Sequence, residues 1–345
     1  MGVNILDLFS GIGGFALGLE QAKIKHDWLG YSDINEYSNK IYRRHFDGAT
    51  KLGDITTIQT ERLPKVDLVT FGFPCQDLSV ANKGRKGLDG DRSSLFFEAI
   101  RIIRDKKPKY FIFENVKGTF NSNNGADFKI ILESIADIGY DGQWQLLNTR
   151  WFLPQNRERI YFIGYPRGQC PPKIFPLGTD QEESDYRQTQ GKTTTTVKPG
   201  WGNLQNDASY LIEDVKGCSY RTRAYKGKGG AIEERSDGVS NALNTIPKDY
   251  MVKIIARGGE YKKNQDHAAC LTGSRNSGIH RNMDLLEYKS ELIRRFTPLE
   301  CERLQGFPDN WTDCVADTRR YQALGNAVSV PVVKSIGEKL LKYLI

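Results

Sequence analysis

The chain has 345 residues, 39% hydrophobic and 26% charged, enough for two domains with the composition of a folded globular protein. That excludes a disordered chain, a collagen-like repeat and a small disulfide scaffold, and no run of 18 apolar residues offers a membrane span. The net charge is +7, and Lys216–Arg281 alone holds 13 Lys and Arg against 6 Asp and Glu. A basic block in a Gly-rich stretch points to a polyanionic partner, although a solvated face is the bland reading.

In chain order, Val3–Phe9 reads as a short buried strand, and Phe15 to about Lys23 as a helix. Trp28–Tyr31 and Val66–Phe73 follow as strands. Leu95–Arg104 is predicted helical, with Leu95, Phe96, Ala99, Ile102 and Ile103 on one stripe. Tyr110–Phe113 is a strand, Phe128–Ile138 a helix, and Trp144–Leu147 and Arg159–Gly164 are late strands. Strands alternating with helices predict an α/β sheet covered on both faces. The pattern breaks near Cys170-Pro171-Pro172, and a Gly-, Thr-, Asn- and Lys-rich stretch to about Tyr288 predicts a second, smaller, irregular, mostly β domain. Helical signal returns at Thr297-Pro298-Leu299-Glu300, an N-cap with Pro at the first helical position, and again in Ser329–Ile345. The expected division is 1–168 plus 321–345 against 169–320.

The first strand runs into Ser10-Gly11-Ile12-Gly13-Gly14 before its helix. Glycines there permit a tight turn and close approach of a ligand at the carboxyl ends of the strands. Gly11, Gly13 and Ala16 also fit a loose dinucleotide pattern, with Asp33 where a ribose-binding acid would lie. An NAD(P)-dependent oxidoreductase therefore stays in competition on this motif alone.

The strand Val66–Phe73 leads into Pro74-Cys75-Gln76. Pro74 limits the backbone on both sides and aims the thiol. A buried structural cysteine is the common alternative. Against it stand the polar, basic flanks through Asn82-Lys83-Gly84-Arg85-Lys86, where cations favour thiolate. The six cysteines form no C-x-x-C pair, and with four histidines no metal site is expected. The next strand ends in Glu114-Asn115-Val116, so adjacent parallel strand ends bring Cys75 and Glu114 to one crevice. A sulfur nucleophile beside a carboxyl is a covalent-catalysis pair.

Taken in order, Asp7–Phe15, Gly72–Gln76, Glu114–Val116, Gln155–Ile160, Arg295–Pro308 and Gly325–Val328 make the chain similar to the DNA (cytosine-5)-methyltransferases of bacterial restriction-modification systems. The resemblance implies a Rossmann-like methyltransferase sheet, S-adenosyl-L-methionine as methyl donor, and double-stranded DNA as substrate. It implies a cytoplasmic, nucleoid-associated protein acting as a monomer, with a possible cognate restriction endonuclease. Cys75 would attack C6 of a flipped-out cytosine, Glu114 would hold the base, Arg159 would assist there, and Arg157 would lie near it. Phe9, Gly11, Gly13, Gly14, Asp33, Ile34, Asp54, Ile55, Pro74, Leu95 and Asn326 would form the cofactor pocket. Gln76, Ser79, Lys83, Arg85 and Lys86 would meet DNA beside the flipped base. Arg295–Pro308 would brace the recognition domain, whose guanine readers would be Arg221, Arg223, Arg257, Arg275 and Arg281. A tRNA cytosine-5 methyltransferase of the same fold is the alternative.

Overall fold

The structure is a computed structural model that describes residues 2–74, 94–170, 172–177, 212–221, 231–234, 240–241, 251–256 and 291–344. The larger sheet is built from β1 (Val3–Leu8), β2 (His26–Ser32), β3 (Thr50–Lys51), β4 (Leu68–Phe71), β5 (Tyr110–Val116), β6 (Tyr140–Asn148) and β8 (Glu158–Pro166), in the order β3-β2-β1-β4-β5-β8-β6. The five strands from β3 to β5 in that order are parallel. The last two pair antiparallel, because only the short stretch 149–157, with no crossover helix, joins β6 to β8. The chain moves outward from β1 to β3, then returns to place β4 on the other side of β1. Such a reversal opens a crevice at the carboxyl ends of the strands.

Period-two alternation assigns each strand residue to a face. Val3 and Ile5, Leu68, Tyr110 and Ile112, and Tyr161 and Ile163 face one apolar cluster. Leu6 and Leu8, Val69 and Phe71, Phe111 and Phe113, and Phe162 face the other. The first cluster contains residues of α1 (Gly14–Gln21), α2 (Glu36–His45) and the C-terminal helix α7 (Val330–Leu344). The second is covered by α3 (Ser94–Lys106) and α4 (Ala126–Asp137), whose Phe96, Ala99, Ile102, Ile103, Ile131 and Ile135 are buried. The α3 stripe is the one expected.

Two more helices, α5 (Pro298–Gln305) and α6 (Asp317–Asn326), precede α7. Thr297 caps α5 in a capping box: its hydroxyl accepts from Glu300 N at 3.2 Å, while the Glu300 carboxylate accepts from Thr297 N at 2.7 Å. Phe296, Cys301, Leu304, Phe307 and Trp311 share the core of Phe15, Ile41 and Val333. They lie inside the stretch 169–320 that the sequence assigned to the second domain; packing joins them to the first. Ile174 and Leu177 enter the same core.

A separate four-stranded sheet has the order β10-β9-β12-β13, from β9 (Ile212–Arg221), β10 (Ala231–Glu234), β12 (Met251–Ala256) and β13 (Glu291–Arg295), all antiparallel. A short parallel pair links β11 (Ser240–Asn241) to β7 (Gln155–Asn156), immediately before β8.

Aromatic rings tie the antiparallel end of the large sheet. Phe162 stacks on Phe113 at 4.9 Å, on Phe111 at 5.9 Å and on Trp144 at 5.8 Å between centroids. Each such pair adds about 0.5–1.5 kcal/mol beyond burial. These rings lie over glycines. A Cβ at Gly164 would stand 2.1 Å from the Phe111 ring, and one at its partner Gly142 would stand 2.1 Å from Phe162. Gly164→Ala is therefore expected to destabilise the fold by about 1–3 kcal/mol through overpacking, read as a lower melting temperature.

Candidate active site

After β1 the backbone turns sharply. Phe9, Gly11 and Gly13 all have positive φ, at 51°, 53° and 86°. For Phe9 this left-handed backbone is strained, so neighbours must hold it. Ser10 N donates to Ser32 O at 3.0 Å, and Gly13 N donates to Ser10 O at 3.0 Å. Gly11 N donates to Asp33 Oδ2 at 2.9 Å, and Asn35 N to Asp33 Oδ1 at 2.7 Å. Burial pushes the Asp33 carboxyl above the usual range. Glycine at 13 has a second reason: its Cβ position lies 2.6 Å from the Phe46 ring. At Gly11, by contrast, nothing lies within 4 Å of that position, which leaves open space against the backbone.

Other expected cofactor residues distribute around this turn. Phe9 and Leu95 are half-buried against the same apolar cluster. Ile34 is 75% exposed, an apolar side chain offered to the crevice side of β2. Asp54 is exposed and caps a short turn through Thr56 N at 2.9 Å. Ile55 is 3% exposed in the core, and its carbonyl accepts from Arg101. Its side chain is packing, because the turn after Asp54 directs it inward. Pro74 is half-buried, and Asn326 is exposed at the end of α6.

The alternation that puts Tyr110 and Ile112 on one face puts Glu114 there too, beside Tyr161 and Arg159 of β8. Arg159 Nε stands 2.9 Å from Glu114 Oε1, and the two side chains are 18% and 12% exposed. Arg157 is 3% exposed and lies 4.0 Å from the same oxygen. Its guanidinium donates to Gly325 O at 3.2 Å and Ala327 O at 2.8 Å, so it grips the carbonyls of the residues on either side of Asn326. Arg157 thus braces this junction while lying close to Glu114, where the sequence expected it. Gly72, three residues ahead of Cys75, has its Cβ position 3.5 Å from Glu114 Oε2. The chain leading to Cys75 thus passes directly over the carboxylate. Cys75, Gln76, Ser79, Lys83, Arg85 and Lys86 lie outside the described residues, as do Arg223, Arg257, Arg275 and Arg281; Arg221 is described only as backbone of β9.

Sequence reading missed Asp7. It lies on the same face as Ile5 and is fully buried. Thr70 Oγ1 donates to it at 2.8 Å and Tyr42 OH at 3.3 Å. Burial, opposed by these two hydrogen bonds and reinforced by Asp33, pushes its carboxyl up to about 8. An acid interrupting an apolar strand was the available signal. Cys301 is buried, and burial pushes its thiol well up, which suits packing.

The sequence matches C-5 cytosine-specific DNA methylases over residues 3–342. The chain belongs to this family. Among similar proteins, the type II methyltransferase M1.ScrFI of Lactococcus lactis subsp. cremoris is 34% identical over 99% of this chain and 78% of its own length. M.NlaX of Neisseria lactamica is 32% identical over 98% and 96%. M.HpaII of Haemophilus parainfluenzae is 32% identical over 99% and 90%. In fold, this C-5 cytosine methylase is similar to the Entamoeba histolytica methyltransferase EhMeth, with a TM-score of 0.62 at 21% identity over 100% and 99% of the two chains. A Spodoptera frugiperda DNMT2 mutant gives 0.62 at 20%, covering 99% of each chain.

The Asp7 carboxyl makes the methylase sensitive to pH in a defined direction. Folded, Asp7 keeps its proton up to about pH 8, whereas an unfolded aspartate loses it near about pH 4. Between these limits the folded state binds the extra proton, so this contribution to stability falls as pH rises. Asp7→Asn is expected to flatten that slope. Its melting temperature, relative to wild type, should rise between about pH 5 and about pH 8.

Proposed function

We propose that this methylase transfers a methyl group from S-adenosyl-L-methionine to C5 of a cytosine flipped out of a specific duplex DNA sequence, through a covalent adduct with Cys75. The observation that supports it most is the Glu114–Arg159 pair at 2.9 Å, at the mouth of the crevice, with the Gly72 backbone leading past it to Cys75. The donor set fits the cofactor. Asp33 lies beside the turn, Ile34 offers an exposed apolar face, Phe9 and Leu95 share an apolar wall, and the space above Gly11 is open. The cofactor supplies an electrophilic methyl group on a sulfonium.

In this reading Cys75 thiolate forms a bond to C6 and leaves C5 electron-rich. Glu114 holds N3 and the exocyclic amine, and Arg159 offsets charge that builds on the ring. After C5 takes the methyl group, loss of its proton breaks the sulfur–carbon bond and frees Cys75. Arg157 keeps Asn326 against the crevice. A base stacked in a duplex cannot reach groups recessed at strand ends, which is why flipping is required.

We assign residues 1–177 and 296–345 to the catalytic body and the intervening stretch to target recognition. The basic block 216–281 falls in that stretch, which also contains all four strands of the antiparallel sheet. The crevice reads one cytosine; flanking bases need groove contacts from elsewhere. The protein works as a monomer on DNA in the bacterial cytoplasm, as the modification half of a restriction-modification system. The type II names of its relatives support that placement.

Purified protein with tritiated S-adenosyl-L-methionine should label duplex DNA and leave tRNA unlabelled; the reverse result overturns the substrate assignment. Cys75→Ala should abolish transfer while S-adenosylhomocysteine still binds. DNA with 5-fluorocytosine at the target should form an adduct stable to denaturing gels, because fluorine cannot leave as a cation. Glu114→Gln should slow transfer by about 10²–10⁴-fold.

Specificity gives a separate test. Replacing Arg221, Arg223, Arg257, Arg275 and Arg281 singly by Ala, and profiling methylation on randomised sites, separates two outcomes. A lost base reader costs about 1–3 kcal/mol and relaxes one position, whereas a lost phosphate contact weakens all sites alike. If all five leave the preference unchanged, the recognition assignment for these arginines fails.

A further inference from the structure

We propose that Trp311 is a positioning residue for the cofactor, acting through the Ile12–Gly13 peptide of the glycine turn. The inference rests on the reading that this turn binds S-adenosyl-L-methionine. Trp311 lies in the connection between α5 and α6, 299 residues from Ile12 in sequence, and its indole Nε1 donates to Ile12 O at 2.9 Å in a buried hydrogen bond. The other end of the same peptide is held as well, since Gly13 N donates to Ser10 O at 3.0 Å. This matters because both glycines flanking Ile12 sit at positive φ. Glycine crosses between left- and right-handed backbone at little cost, so the intervening peptide planes are easily reoriented unless anchored at both ends. A reoriented plane would turn a carbonyl where the turn now presents its open face.

The indole is itself fixed from several sides. The His45 ring stacks on it at 3.5 Å between centroids and 5° between planes. His45 Nε2 lies 2.7 Å from Trp311 O; a carbonyl only accepts, so that nitrogen carries a proton and donates. Phe307 packs at 5.5 Å and Phe46 meets the ring edge at 6.0 Å. Phe46 is also the ring against which Gly13 is packed, so Trp311 reaches the turn by an apolar route as well as a polar one.

The backbone around Trp311 is pinned by a buried carboxylate. Glu302, fully buried, accepts from Asn310 N at 2.7 Å and Thr312 N at 2.8 Å, the amides on either side. It also accepts from the Thr312 hydroxyl and pairs with Arg320 at 3.1 Å. Two further contacts fasten the same region to α2: Arg44 pairs with Asp313, and the Arg319 guanidinium lies 4.4 Å over the Tyr37 ring. A buried indole N–H needs an acceptor wherever it lies. Here that acceptor belongs to the glycine turn itself, in a peptide with a positive-φ glycine on each side of Ile12.

Trp311→Phe keeps an aromatic ring and removes the donor. The dissociation constant for S-adenosylhomocysteine, by titration calorimetry, and the KM for S-adenosyl-L-methionine are expected to rise about tenfold, because an unanchored Ile12–Gly13 peptide holds the binding-competent orientation only about a tenth of the time. The KM for DNA and the melting temperature of the free protein should change far less. If the Phe variant does not fold, replacing Trp311 by its benzothiophene isostere, which has the same shape and no N–H, is expected to weaken S-adenosylhomocysteine binding to the same extent. Unchanged S-adenosylhomocysteine affinity in the folded variant overturns the inference while leaving the cofactor reading intact. Failure of wild type to bind S-adenosylhomocysteine overturns the cofactor reading, and this inference with it.

Discussion

A strand buried on both faces has no place for a polar side chain except near its end, where the crevice begins. β1, β4 and β5 obey that constraint in register. Their apolar residues fill two cores, and Asp7, Thr70 and Glu114 lie toward their carboxyl ends on the same face. The parallel pairing that buries the hydrophobic stripes therefore also gathers the chemistry. Asp7 and Thr70 meet in a hydrogen bond below the crevice, and Glu114 meets Arg159 at its mouth. The low exposure of that pair strengthens it relative to an ion pair in open water.

The site is closed by returning chain. Arg157 reaches forward to the carbonyls beside Asn326, 168 and 170 residues away, and ties β8 to the junction of α6 and α7. The connection between α5 and α6 reaches back to the glycine turn through Trp311. These links fasten the chain around α6 to β1's glycine turn and to the start of β8. They also explain why residues 296–327 pack with the first core although they directly follow a strand of the smaller sheet. The pair β7–β11 makes a second connection, joining the smaller β region to the strand end that carries Arg157 and Arg159.

Local signals were legible in the sequence wherever near neighbours alone decide the outcome. The glycine turn, the α3 stripe, the Thr297 N-cap with Pro298 behind it and the strand ending in Glu-Asn-Val follow from residue type and spacing, and the structure reproduces them. The order of short motifs was enough to identify the family. Partner choice was not legible. Nothing near Arg157 names Gly325 and Ala327 as its acceptors, and nothing near Ile12 names Trp311. Nothing in the motif around Ile55 says that the turn after Asp54 sends its side chain into the core.

By itself, then, the sequence determined an α/β methylase with a glycine-rich cofactor turn and a carboxylate at the end of a buried strand, because periodicity and backbone freedom act over a few residues. Tertiary structure alone decided that β8 inserts between β5 and β6, that burial raises the Asp7 carboxyl far above its ordinary range, and that the α5–α6 connection grips the turn. Each of these depends on groups far apart in the chain and on water being excluded where they meet. Hydrogen-bond partners and desolvation are properties of the packed interior, and no spacing rule along the chain encodes them.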